Sequence, residues 1–223
     1  MRFSSRLFAP AALALLAFAA PSEARAEEAA GPPNDARMVA ASRSYYDAEV
    51  TTAFLFVAYG AVTAGAGAVS LTQEGDFAHG FGWSSLIAGG ITALGGAAYG
   101  VAARVRGNDY TSLAEKDPAQ FKREESERIA GTNQRFALYL GSEIAETIAG
   151  IGIAAYGFAA KSDLAKGIGA GVAIQGIGLF VIDAPGAGRA ARYQDDVRRF
   201  NPQLGVSVGG GGRPWAATVG HSF

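Results

Sequence analysis

Residues 54–72 read FLFVAYGAVTAGAGAVSLT, and residues 84–103 read SSLIAGGITALGGAAYGVAA. Neither stretch holds a single charged residue. Each is long enough, at about 1.5 Å per residue, to cross the roughly 30 Å hydrocarbon core of a bilayer as a helix. Two further stretches, 136–160 and 164–184, have the same Gly/Ala-rich apolar character. A soluble bundle would show a charged face on each helix, and the first two stretches have none. Glycine inside a helix costs about 1 kcal/mol against alanine in water. Within a membrane it gains a use, because small residues let helix backbones approach closely. The reading is therefore a mainly α protein with four membrane-associated helices in two helical hairpins.

Small residues at four-residue spacing mark where those helices should meet. Gly60 and Ala64 form one such pair, Gly96 and Gly100 a second, and Gly167 and Gly171 a third. The third stretch is less regular. It carries Glu143 and Glu146, one turn apart on one helix face. The fourth carries Gln175. Acidic groups at membrane depth are costly and point to function, so Glu143 and Glu146 are candidates for an ion path, for binding a cation or for pairing with Arg or Lys of a neighbouring subunit. Gln175 is expected to bond between helices. Trp83, Tyr99, Tyr139 and Tyr156 near the stretch ends have the character of interfacial anchors.

The rest of the chain frames these stretches. Residues 1–26 read as a signal peptide: Arg2 and Arg6, a short apolar core, then Ala24-Arg25-Ala26 before Glu27 and Glu28. Residues 27–44 are expected to be a mobile leader, and 45–200 a helical membrane domain with a charged insert at 104–135. Asp117-Pro118 with Gln120 has the pattern of a helix start. Pro185 and Gly186 are expected to end the fourth helix. Residues 201–223 are expected to form a β-hairpin, with alternation at 203–208 and 214–223 around Gly209–Gly212. Glu49 precedes Ala58-Tyr59-Gly60 by the interval at which Glu146 precedes Ala155-Tyr156-Gly157, which suggests a two-hairpin repeat.

Composition narrows the chemistry. The chain has 223 residues, a net charge of −1, and no cysteine. Thiolate metal sites, disulfides and cysteine nucleophiles are excluded, and no basic footprint favours nucleic acid. The two histidines, His79 and His221, stand apart from any acidic cluster. Two Gly-x-Gly-x-x-Ala matches, at Gly150 and at Gly186, lack the second βαβ unit of a dinucleotide site. No catalytic residue, cofactor or metal ligand is expected, and the chain is read as a non-enzyme.

Topology favours an unusual destination. With a cleaved signal, loop 73–83 would face the cytoplasm carrying Glu74 and Asp76 but no Lys or Arg, against the positive-inside tendency. Stretches diluted by Gly, Ala, Ser and Thr are also weak stop signals for an inner membrane. The alternating terminal segment ending in Phe223 is similar to the terminal signature of bacterial outer-membrane proteins. Signal peptide, Gly/Ala-rich helices and a strand pair ending in Phe223 together resemble the outer-membrane proteins of predatory bacteria that form rings around a patch of lipid. That resemblance implies a homo-oligomeric fence in the outer membrane, whose partners are other copies, membrane lipids and the outer-membrane assembly machinery. An oligomeric transport pore and an inner-membrane accessory subunit are the alternatives.

Overall fold

The computed structural model describes residues 35–202. The signal segment, the first part of the leader, and the expected strands with Phe223 lie outside the described residues. Four helices account for nearly all of what is described: α1 Asp35–Leu71, α2 Asp76–Lys116, α3 Pro118–Ala159 and α4 Asp163–Arg199. No strand occurs among the described residues. The helices have 37, 41, 42 and 37 residues, so each runs roughly 55–63 Å. All four are long and apolar enough to cross a membrane.

Three expectations about boundaries need correction. Residues 35–44 are not part of a mobile leader: they form the first turns of α1, anchored by the fully buried Met38 and Ser42. The charged segment 104–135 is not an insert. It is the end of α2 and the beginning of α3, interrupted only at Asp117. Pro185 and Gly186 do not stop the fourth helix, which continues to Arg199. Pro185 removes one backbone N–H, at a cost of about 3 kcal/mol. Beyond it, Ala190, Tyr193 and Val197 are buried, and burial of that size outweighs one lost turn bond.

Local chemistry explains the connections. Asp117 caps α3, its side chain accepting from the Gln120 N–H at 2.9 Å, with Pro118 in the first turn. Between α3 and α4, Lys161 takes a positive φ of 55°, and the Ser162 N–H donates to the Gly157 carbonyl at 2.9 Å. Ser162 then caps α4 through the Ala165 N–H. Gly75 precedes α2 with φ 109°, a conformation that glycine alone adopts without strain.

The turns at 72–75 and 160–162 lie at one end of the molecule, and the apolar stretches occupy that half. α1 packs along α2 and α3 along α4 as antiparallel hairpins, and α2 against α4 joins the two. Glycine makes these seams. A Cβ on Gly60 would meet backbone atoms of Gly89 and Ala93, and one on Gly89 would meet Gly60 and Ala64. Gly150 and Gly169 face each other in the same reciprocal way across α3 and α4. Between the hairpins, a Cβ on Gly80 would meet the backbone of Leu164, and one on Gly167 that of Phe77.

Large apolar side chains in this half point outward. Phe54, Val62, Ile91, Leu94, Ile148 and Phe158 are all more than half exposed. The large buried side chains gather instead in the charged half, where Met38, Tyr45, Tyr46, Phe121, Ile129, Tyr193, Val197 and Phe200 form the core. A soluble protein distributes these groups the other way round.

The two-hairpin architecture is present, but the sequence repeat does not keep its register. Tyr59 is buried and its hydroxyl donates to the Ile174 carbonyl, whereas Tyr156 is 67% exposed. Gly60 meets α2 and Gly157 meets Lys166 near the turn, so the matching intervals do not mark matching positions.

Candidate functional site: a polar cleft between the helices

The clearest concavity is a cleft of about 560 Å³ where the apolar half meets the charged half. It exists because α2 and α3, although consecutive, make little contact along their lengths, while each packs on other helices. All four helices line it. Gly95, Tyr139 and Ser142 are exposed lining residues and mark its mouth between α2 and α3. Glu49, Tyr99, Glu143 and Asp183 stand on its walls. At about 1.5 Å per residue, Glu143 lies roughly 24 Å from the turn end of α3, near the far face of a bilayer that begins at the turns.

The floor toward the charged half is a closed ionic and aromatic knot. Glu125, with its side chain fully buried, is held by Arg128 through two hydrogen bonds of 2.6 Å. The Tyr46 hydroxyl donates to the same carboxylate at 3.2 Å. The Arg128 guanidinium lies 5.1–5.8 Å from the rings of Tyr45, Tyr46 and Tyr110, within cation–π range. Tyr45 stacks on Tyr193 with ring centres 4.3 Å apart. Burial pushes the hydroxyls of Tyr45, Tyr46 and Tyr193 well above the ordinary tyrosine range. Burial alone would lower Arg128, but the Glu125 hydrogen bonds and charge outweigh it and hold the guanidinium firmly protonated.

Above this knot sits Glu49. The Tyr99 hydroxyl donates to it, and Arg189, which also donates to Thr52, lies 3.9 Å away. Burial raises Glu49 to about 7, with Arg189 and Arg128 pulling the other way. Deeper still, Glu143 on α3 and Asp183 on α4 line the same wall as neighbours, and two carboxylates so placed repel each other unless a proton or a cation lies between them.

The structure places the sequence candidates as follows. Glu143 is buried in the cleft wall, while Glu146, one turn on, is half-buried at the cleft edge. Gln175 is buried, and its side-chain amide donates to Thr92 Oγ1 at 2.6 Å, between α4 and α2. The small residues lie in helix seams. Gly60 and Ala64 face Gly89, Gly96 faces Phe56 and Val57, and Gly100 faces Ala53. Gly167 faces Phe77 and Phe81, and Gly171 faces Ser84. Trp83, Tyr139 and Tyr156 are exposed, but Tyr99 turns inward to Glu49.

Sequence reading missed Glu49, Arg128, Asp183 and Arg189 as site residues. One signal was available. On α1 the buried face carries Ser42, Glu49, Thr52, Tyr59, Gly60, Thr63 and Gly67. Polar and small residues therefore follow the helical period, and large apolar ones take the opposite face. That inverted pattern places Glu49 inside. Among the described residues no three His or acidic side chains converge as a metal site would need. No protein-family model matches the chain, and no curated protein or solved structure matches it either.

Proposed function

We propose that the chain is a structural membrane protein that self-associates and organises lipid, as a homo-oligomeric ring in the outer membrane. The observation that carries this reading is the outward apolar surface of all four helices, closed inside by glycine seams rather than by large side chains. Such a molecule offers lipid a broad wall and spends little of its apolar bulk on its own core. Unused small positions support contact between copies. A Cβ at Gly141 or Gly152 would meet nothing within 4 Å, which leaves room for a neighbouring helix. The strand pair ending in Phe223 would join neighbours, and the charged half would stand outside the hydrocarbon.

Extraction in mild detergent, followed by mass measurement and imaging with lipid analysis, tests the reading. The expected result is a closed multimer retaining several lipids per chain. A stable monomer stripped of lipid would overturn it. Membrane fractionation tests the compartment, and recovery only with the inner membrane would favour an accessory subunit there.

A pore is the second reading, favoured by the acidic cleft wall at Glu143 and Asp183. Under it, planar bilayers containing the protein conduct cations, and the double substitution Glu143→Ala with Glu146→Ala abolishes the current. Silent bilayers would sink it.

A further inference from the structure

We propose that the cleft between α2 and α3 is a binding site for an organic ammonium ion, held by the carboxylates of Glu143 and Asp183 among aromatic rings. Its volume of about 560 Å³ suits a small molecule. Glu143 is only 5% exposed, and its Oε2 has no hydrogen-bond partner. A buried carboxylate oxygen left without a donor is costly, and this one belongs to a residue lining an open cleft.

Charge inside the cleft is unevenly matched. Glu125 has Arg128 and Glu49 has Arg189. Glu143 and Asp183 face each other, with Glu146 one turn away, and the Arg189 near Asp183 is already engaged with Glu49 and Thr52. The lining arginines Arg106 and Arg135 are exposed and stand on the charged-half side of the acidic pair. The acidic pair therefore carries more negative charge than its neighbours match, and the cleft calls for a cation.

A metal ion is a poor fit, because among the described residues no third acidic or imidazole donor converges with the pair. An ammonium group needs fewer and less regular donors. Phe56, Tyr99, Phe136 and Tyr139 also line the cleft, and aromatic rings attract such a cation. The mouth opens between two helices that part from each other, so entry requires no unpacking of the glycine seams. The site lies within one chain and does not depend on self-association. A monomer that binds sinks the ring and keeps the site, and a ring that does not bind does the reverse.

The test is calorimetric titration of the purified full chain in detergent micelles with tetramethylammonium chloride and choline chloride. Sodium chloride at equal ionic strength is the reference. The expected result is saturable binding of both ammonium probes, accompanied by a rise in Tm. Glu143→Gln weakens it at least tenfold. Gly95→Leu does the same by filling the mouth, since that position has open space around it and the carboxylates stay untouched. It keeps the test valid if Glu143→Gln fails to fold. The exposed Glu115→Gln leaves binding unchanged. The proposal is overturned by no saturable binding, by an equal response to sodium chloride, or by binding that survives Gly95→Leu; the first outcome would leave a shared proton between Glu143 and Asp183.

Discussion

Glu49 shows how one side chain couples burial to pH. It is 5% exposed, and burial raises its carboxyl from 4.5 to about 7. The folded protein thus holds this proton more tightly than the unfolded chain does. The stabilisation is full below pH 4.5 and is lost as pH rises through about 7, by on the order of 3 kcal/mol. Glu49→Gln keeps the shape and removes the ionisation. Thermal or denaturant unfolding between pH 4.5 and 8 should show wild-type stability falling relative to Glu49→Gln, with the variant the more stable at pH 8. Parallel curves would mean that Glu49 is already ionised when folded. The sequence makes Glu143 visible because it interrupts an apolar run. It hides Asp183, which lies 40 positions later at a stretch end, because only tertiary packing brings the two carboxyls together.

At the scale of elements, the glycine seams and the helix ends behave differently. Gly60→Leu drives a side chain into the α2 backbone at Gly89 and Ala93, where nothing can yield. The α1–α2 hairpin should lose on the order of 3 kcal/mol or fail to form. Gly65→Leu, one turn away with open space, should unfold like wild type. Equal behaviour of the two in detergent unfolding would contradict the seam. Asp117→Ala should cost about 1 kcal/mol through its lost cap. The cap was legible because it is local: Asp117, Pro118 and Gln120 contain all the chemistry. Pro185 misled because its penalty is local and the forces that override it are not. Tyr193 and Val197, well beyond it, bury themselves against α1 and α3 and draw the helix onward. Pro185→Ala should therefore leave the helix content by circular dichroism unchanged and the stability equal or higher. A loss of stability would mean that the missing N–H is itself used.

At the scale of the whole molecule, two halves follow opposite rules. Near the turns, glycine and polar residues face inward and Phe54, Leu94, Ile148 and Phe158 face outward. Near residues 35 and 200, aromatic rings and an ionic knot fill a conventional core. Composition foretold the first half, because uncharged stretches rich in glycine have few homes outside a bilayer. It did not foretell the second. The charged segment 104–135 looked like an insert, since Phe121, Ile129 and Tyr110 are too sparse to announce a core until α1 and α4 supply the remainder.

The absence of cysteine allows a direct test of which half the bilayer covers. Single substitutions Leu94→Cys and Ile148→Cys probe the outward face of the apolar half, and Glu115→Cys and Glu127→Cys probe the charged half. Each is exposed to a water-soluble maleimide in membranes opened to both sides. The account predicts rapid labelling at 115 and 127, and none at 94 and 148 until the membrane is dissolved in denaturant. Labelling at 94 and 148 as fast as at 127 would contradict it, because those faces would then stand in water.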